Sequence, residues 1–150
     1  MRMHLTRSWS RRMAATALAV AAITGVSACS SSTPMSGSSS QGTSQHMSAS
    51  DFATAMKAPG TIVLDVRTPA EFSTGHLPAA QNVDFEGTDF ATRIAALDKT
   101  ATYAVYCQSG NRSGKAMEQM AAAGFTHVYD LAGGISAWQS MGGPMEMGGP

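Results

Sequence analysis

The chain has 150 residues, with ten basic and ten acidic side chains. Four of the basic residues lie within the first 28 positions, namely Arg2, Arg7, Arg11 and Arg12. From Cys29 onward six basic residues stand against ten acidic ones, a net charge of about −4. A nucleic-acid-binding protein needs a basic surface, so this balance argues against that class.

The first 28 residues have the pattern of an export signal peptide. Residues 1–12 are basic, and residues 13–26 form an apolar run that is too short to span a bilayer comfortably. The segment closes with Val26-Ser27-Ala28-Cys29. This ending resembles a bacterial lipobox, which implies that Cys29 is the lipid attachment site; an ordinary signal cleaved near Ala28 is the alternative. We expect an exported protein of the cell envelope, anchored to the membrane surface through Cys29, with Sec and twin-arginine export both open.

Residues 29–47 predict a flexible Ser-rich linker. Ten of the 21 residues from Ser30 to Ser50 are serine and none is charged, so this stretch cannot bury enough apolar area to fold. The folded domain is expected at residues 48–144, and its roughly 100 residues suffice for one small hydrophobic core. Residues 145–150 continue a repeated unit rich in Met, Gly and Pro, which predicts a disordered tail.

Strand-like and helix-like segments alternate along the predicted domain. In chain order we expect a helix at 48–57, a strand at 61–66, a helix opening at 69–72, a strand at 79–83, a helix at 89–97, a strand ending at Cys107, a helix at 112–123, a strand at 128–131 and a helix through Trp138. This order indicates an α/β fold with a small parallel sheet and helices on both faces. Such sheets place their sites at the carboxyl ends of strands, where Asp65 and Cys107 lie.

Cys107 is the candidate nucleophile. It ends an apolar strand, and the polar loop after it leads into a helix. Backbone N–H groups and a helix N-terminus near the sulfur would favour a thiolate or a bound anion, and Arg112 could add positive charge. The alternative is a buried structural cysteine, because free cysteine packs well as a small apolar side chain. If Cys29 carries lipid, Cys107 has no disulfide partner within the chain, and an unpaired cysteine in an exported domain favours a catalytic role.

Four short segments follow one another in a characteristic order. They are Leu64-Asp65-Val66-Arg67 with Glu71-Phe72; Gly75-His76-Leu77-Pro78-Ala79-Ala80 with Asn82; Cys107-Gln108-Ser109-Gly110-Asn111-Arg112-Ser113; and Leu131-Ala132-Gly133-Gly134-Ile135-Ser136-Ala137-Trp138. Together they closely resemble a single-domain rhodanese, a sulfurtransferase. The resemblance covers about residues 48–144 and implies the rhodanese-like α/β fold.

The resemblance implies that the Cys107 thiolate takes sulfane sulfur from a donor such as thiosulfate, carries it as a persulfide and passes it to a thiol or cyanide. The loop residues implied to bind the substrate are Gln108, Ser109, Gly110, Asn111, Arg112 and Ser113. Four residues separate Cys107 from Arg112, one fewer than in related phosphatases and arsenate reductases, which suits a sulfur atom better than a tetrahedral anion. Many family loops carry Arg or Lys directly after the cysteine, where this chain has Gln108.

Several roles stay open from the sequence. Asp65 lines the site or, with Arg67, Glu71 and His76, forms a structural polar network. Arg112 meets the anionic donor or ties the loop to its scaffold. The expected partners are a small anionic sulfur donor and a thiol acceptor, with a protein thiol among the candidates. No cofactor beyond the persulfide and no metal are expected. The alternative function is a persulfide carrier or binding module that serves a partner protein in the cell envelope without turnover of its own.

Overall fold

The computed structural model describes residues 43–148. Its strands are β1 (Thr43–Met47), β2 (Thr61–Asp65), β3 (Gln81–Asn82), β4 (Thr102–Tyr106) and β5 (His127–Leu131). Its helices are α1 (Ala49–Ala55), α2 (Pro69–Ser73), α3 (Phe90–Ala95), α4 (Asn111–Ala122) and α5 (Gly134–Ser140). The strands pair in the order β1-β5-β4-β2-β3, and every pair is parallel. The predicted α/β class is confirmed.

Helices cover both faces of the sheet because neighbouring residues of the central strands point to opposite sides. Val105 of β4 belongs to a core that holds Ile94 of α3 and Met120 of α4. Ala104, one residue earlier, belongs to a second core that holds Phe52 of α1 and Trp138 of α5. The Trp138 side chain is 2% exposed, so it is a core residue.

Strand β1 corrects the predicted boundary between linker and domain. The linker was expected to extend through residue 47, but Thr43–Met47 pairs in register with β5, from Thr43 opposite His127 to Met47 opposite Leu131. An edge strand is held by backbone hydrogen bonds and needs few apolar side chains, so a polar sequence can form one. Met47, at the end of the strand, packs against the second core. The folded domain therefore starts at least five residues earlier than predicted.

The C-terminal segment corrects a second boundary. Residues 145–150 were expected to be a disordered tail, but Glu146 forms an antiparallel bridge with His76 through two backbone hydrogen bonds of 2.9 and 2.8 Å. The Glu146 carboxylate also accepts a hydrogen bond from the Ala79 N–H at 3.1 Å. Just before it, the Pro144 carbonyl accepts the indole N–H of Trp138 at 2.9 Å. Met145 of the same segment packs against the second core, so backbone pairing and apolar contact together hold this segment, which is ordered through residue 148.

Candidate active site

Cys107 follows β4 directly, at the carboxyl edge of the sheet. Asp65, the last residue of β2, lies opposite Tyr106, so the ends of these two central strands meet as predicted. Gly110 then adopts a left-handed conformation with φ +96°, which turns the chain into α4 at Asn111. A Cβ on Gly110 would also approach the Gly133 nitrogen to 3.1 Å, so the position favours glycine on both grounds. The loop of residues 107–110 is thus a tight strand-to-helix turn.

The surroundings of the Cys107 sulfur favour its thiolate form. The Gly110 N–H donates to Sγ at 3.1 Å, and the Ser113 hydroxyl oxygen lies 3.6 Å from it. Burial by itself raises the pKa of this thiol, because the sulfur is almost fully enclosed. Hydrogen bonds from the backbone and hydroxyl of Ser113 and from the backbone of Ser109 and Gly110 outweigh burial, so the net pKa is lowered. A thiol with this balance is more nucleophilic at neutral pH than a free cysteine.

The start of α5 holds the loop from its other side. The Ile135 N–H donates to the Cys107 carbonyl at 2.8 Å, and the Ser136 N–H and hydroxyl donate to the Gln108 carbonyl at 3.3 and 3.0 Å. These contacts are made possible by Gly134, whose φ is +59°. A Cβ there would lie 2.4–2.6 Å from backbone atoms of residues 107–109. The glycine pair at the start of α5 is therefore part of the geometry of the reactive loop.

Arg112 is held by carboxylates rather than left free at the loop. Its two terminal nitrogens donate to both oxygens of Glu71 at 2.8 and 2.6 Å, and one of them also lies 3.4 Å from Glu86. Glu71 in turn completes a capping box with Thr68 at the start of α2. Of the two roles left open by the sequence, this arrangement supports the structural one, in which Arg112 ties α4 to α2.

The Glu71–Arg112 pair predicts a pH-dependent contribution to stability. The hydrogen bond from Arg112 lowers the pKa of Glu71 most; burial opposes this and the Thr68 hydrogen bonds add to it, for a final value of about 2 instead of 4.5. A carboxylate with a depressed pKa stabilises the fold above its unfolded-state pKa and loses that contribution as the pH falls. After a discount for partial exposure, Glu71→Gln is expected to lower the free energy of unfolding by about 1–2 kcal/mol at neutral pH.

Denaturant titrations at several pH values test the predicted contribution of the Glu71–Arg112 pair to stability. The difference between the wild type and Glu71→Gln should shrink as the pH falls from about 4.5 to 2, because the wild-type carboxylate becomes protonated across that window. Glu118→Gln, an exposed substitution on α4, should leave the stability unchanged throughout. A difference for Glu71→Gln that stays constant down to pH 2 would contradict the assignment.

Asp65 belongs to the structural network and does not line an open site. Its carboxylate is fully buried and accepts three hydrogen bonds from the Arg67 guanidinium at 2.6–3.0 Å, while Arg67 also donates to the Gly75 carbonyl at 2.7 Å. Of the two roles that the sequence leaves open for Asp65, its burial and its pairing with Arg67 support the structural role rather than the site-lining one. His76 stacks on Phe72 near this network.

The side chains of the remaining loop residues differ in their exposure to solvent. Gln108, Ser109 and Asn111 face solvent, and the Gln108 amide donates to the Ser136 hydroxyl at 3.1 Å. Ser113, on the first turn of α4, is fully buried against the sulfur. The predicted loop is thus brought together around Cys107, with its polar side chains at the mouth and Ser113 at its base.

Two residues near the sulfur were missed by sequence reasoning. The buried Asp130 of β5 accepts a hydrogen bond from Ser113 at 3.0 Å, and His46 of β1 lies 2.6 Å from the same carboxylate. One sequence signal existed for Asp130, since a carboxylate inside an otherwise apolar strand needs a partner. His46 carried no such signal, because its strand was interpreted as linker.

The structure also bears on metal binding and on the membrane. Within residues 43–148 no group of three His, Cys, Asp or Glu side chains has the arrangement of a metal site. In the same part of the chain no helix has both the length and the apolar character needed to cross a bilayer. Cys29 and the predicted signal peptide lie outside the described residues.

Comparison with known proteins identifies the family. The family model for the rhodanese-like domain matches residues 48–141, and the chain belongs to that family. Thiosulfate sulfurtransferase 16 of Arabidopsis thaliana chloroplasts is 42% identical over 91 residues, which cover 54% of this chain and 76% of that protein. The thiosulfate sulfurtransferase GlpE of Pseudomonas fluorescens is 34% identical over 90 residues, covering 60% and 81%. The crystal structure of a rhodanese-related protein from Thermoplasma volcanium superposes with a TM-score of 0.62 at 30% identity, covering 69% of this chain and 98% of that one.

Proposed function

We propose that this protein is a sulfurtransferase that carries sulfane sulfur on Cys107. The observation that carries this proposal is the environment of the sulfur, where backbone N–H groups and the Ser113 hydroxyl outweigh burial and lower the pKa of the thiol. The same donors would stabilise the negative charge of a persulfide. The matched thiosulfate sulfurtransferases support the same chemistry.

The reaction consists of two displacements at sulfur. First, the Cys107 thiolate attacks the outer sulfur of a donor such as thiosulfate; an S–S bond forms to Cys107, and the donor's S–S bond breaks as sulfite leaves with its electron pair. Second, a thiolate or cyanide attacks the outer sulfur of the persulfide, and Cys107 leaves as a thiolate again. Neither step needs a cofactor or an external oxidant.

The identity of the donor depends on positive charge at the loop. Position 108 is glutamine, and the guanidinium of Arg112 is engaged by Glu71 and Glu86. A small dianion such as thiosulfate therefore meets less positive charge than in a loop with a cation after the cysteine. This supports slow use of thiosulfate, with a protein or low-molecular-weight persulfide as the physiological donor.

Gln108→Arg tests this view of the donor. The side chain is exposed at the mouth of the loop, so the substitution should add a cation without disturbing the core. We expect kcat/KM for thiosulfate to rise by about 3–10-fold through a lower KM, and the gain to disappear at high salt. Gln108→Met is the matched neutral control and should not produce the gain. An unchanged KM for Gln108→Arg would contradict the electrostatic explanation.

A turnover assay distinguishes the two functions considered for this protein, a sulfurtransferase enzyme and a persulfide carrier. Thiosulfate:cyanide turnover by the full chain that is lost in Cys107→Ser would support the enzyme. Persulfide on Cys107 without turnover would support the carrier, a sulfur-holding module for a partner protein. If Cys107 took up sulfur from neither thiosulfate nor an organic persulfide, both functions would be refuted.

We also propose that the domain works at the membrane surface of the cell envelope, attached through lipid on Cys29. This rests on the sequence pattern of residues 1–29, and the Ser-rich stretch that follows would serve as a tether. Mass spectrometry of the mature N-terminus tests it. A diacylated Cys29 at the N-terminus is expected, and an unmodified Cys29 would refute the anchor without affecting the proposed chemistry.

A further inference from the structure

A line of hydrogen-bonded side chains connects the Cys107 sulfur to the protein surface. The Ser113 hydroxyl oxygen lies 3.6 Å from Sγ of Cys107 and 3.0 Å from Oδ2 of Asp130. The other carboxylate oxygen of Asp130 lies 2.6 Å from Nδ1 of His46. Cys107, Ser113 and Asp130 are at most 1% exposed, whereas the His46 side chain is 67% exposed. The line thus runs from a buried sulfur to an imidazole in water.

Three separate elements build this line, so it does not arise from local sequence. Ser113 is on α4, Asp130 is on the interior strand β5, and His46 is on the edge strand β1. Burial raises the pKa of Asp130, and the contacts with Ser113 and His46 only partly oppose it. A carboxylate in this position can hold a proton at a higher pH than an exposed aspartate can.

The Ser113 hydroxyl has one hydrogen and three acceptors around it, namely the Cys107 sulfur at 3.6 Å, Oδ2 of Asp130 at 3.0 Å and the Gly110 carbonyl oxygen at 3.1 Å. Its hydrogen bonds to the two acidic groups exclude one another, because one hydrogen cannot point to both. When Asp130 is ionised, its oxygen accepts the Ser113 hydrogen, and the Ser113 oxygen is left to accept a hydrogen bond from the Cys107 thiol. When Asp130 is protonated, it donates to the Ser113 oxygen, and the Ser113 hydrogen points to a Cys107 thiolate. The two arrangements differ by one proton moved from sulfur to carboxylate through the hydroxyl group. The S–H bond of Cys107 and the O–H bond of Ser113 break, and a new O–H bond forms on Ser113 and another on Asp130.

We propose that Asp130 and His46 are positioning residues that set the ionisation of Cys107 through the hydroxyl group of Ser113. An ionised Asp130 holds Ser113 away from the thiolate and adds a negative charge behind it. A neutral Asp130 turns Ser113 toward the sulfur and favours the thiolate and, by the same contact, the persulfide anion. His46 acts one step further out, because its hydrogen bond stabilises the ionised carboxylate. The inference refines the proposed function, in which Cys107 is the nucleophile.

Arg112 and Glu71, the charged pair beside this line of side chains, keep their charges over the pH range in which Cys107 is titrated. Arg112, on the same helix as Ser113, faces Cys107, and Glu71 and Glu86 of neighbouring segments hold it. The pKa of Arg112 is raised and that of Glu71 is lowered to about 2, so this pair keeps its charges throughout. Asp130 is faced by Ser113 from α4 and by His46 from β1. The charges of Arg112 and Glu71 therefore do not explain a shift in the midpoint of the Cys107 titration.

The test is a titration of the Cys107 thiolate by its ultraviolet absorbance, on the full chain, with Cys107→Ser as the blank. Asp130→Asn removes the negative charge and supplies a donor to Ser113, so the midpoint should fall by about one pH unit. His46→Gln should shift it in the same direction by a smaller amount. This surface variant keeps the test valid if Asp130→Asn does not fold. His127→Gln is the matched control, an exposed histidine on the same strand as Asp130, and should leave the midpoint unchanged.

A double-mutant cycle separates the route through Ser113 from simple repulsion between charges. In a Ser113→Ala background, the substitutions at Asp130 and His46 should each lose more than half of their effect. Undiminished shifts in that background, or folded Asp130→Asn and His46→Gln proteins with wild-type midpoints, would overturn the proposal. The titration uses neither donor nor acceptor, so a coupled network in a protein that transfers no sulfur would refute the proposed function and leave this inference standing.

Discussion

Replacement of Gly134 by alanine is expected to slow sulfur uptake by Cys107 at least about 100-fold and to lower the free energy of unfolding by about 2–4 kcal/mol. Gly134 has φ +59°, and a methyl group there would lie 2.4 Å from the Cys107 carbonyl oxygen and 2.6 Å from the backbone of Gln108 and Ser109. These are backbone atoms with no freedom to rotate away. The loop must move, and the N–H donors to the sulfur move with it.

Gly60→Ala is the matched control for this effect. Gly60 also has a positive φ, +81°, but nothing lies within 4 Å of its Cβ position. Its substitution should cost about 1 kcal/mol from backbone strain and leave sulfur uptake unchanged. Mass spectrometry after thiosulfate treatment and denaturant unfolding measure the two effects. Wild-type sulfur uptake by Gly134→Ala would show that α5 does not position the reactive loop.

The second large effect is expected at Arg67. Arg67→Met removes the partner of Asp65, a carboxylate with no exposed surface, and also removes the hydrogen bond to the Gly75 carbonyl. A buried charge left without its partner destabilises a fold by about 3–5 kcal/mol. Because the total free energy of unfolding of a typical protein is about 5–15 kcal/mol, this loss should lower the melting temperature strongly.

Lys115→Met provides the comparison, because it removes one positive charge from an exposed position on α4. It should change the free energy of unfolding by less than about 0.5 kcal/mol. The loss of unfolding free energy expected for Glu71→Gln, which breaks the partly exposed Glu71–Arg112 pair, lies between the losses for Arg67→Met and Lys115→Met. If Arg67→Met were no more destabilising than Lys115→Met, the ion pair would not be the structural element that its burial indicates.

The central part of the fold was predictable because its residues follow clear physical rules. Apolar runs at β2, β4 and β5 and capped or amphipathic segments between them indicate a parallel sheet covered by helices. The position of Cys107 at the end of β4 and the four-residue spacing to Arg112 then identify the reactive loop. These features involve residues that are close together in the chain, so they can be recognised from a single sequence.

The parts that were missed depend on contacts between distant residues. Strand β1 is polar and forms only because β5 offers it an edge, and residues 145–148 are held by backbone pairing with His76. Asp130 lies 17 residues from Ser113 and 84 from His46, so no spacing rule joins them. The choice between the two roles of Asp65 needed the fold for the same reason, since only the fold shows that Arg67 turns back onto Asp65 while Glu71 pairs with Arg112.

The most direct test of the account is the intact mass of the full chain after brief exposure to thiosulfate or an organic persulfide. We predict a gain of one sulfur atom on Cys107, removed by cyanide or a thiol and absent from Cys107→Ser. The same gain should remain in Asp65→Asn variants that fold, because Asp65 has no part in the chemistry. A wild-type protein whose mass does not change with any of these donors, or a gain that persists in Cys107→Ser, would contradict a Cys107 persulfide.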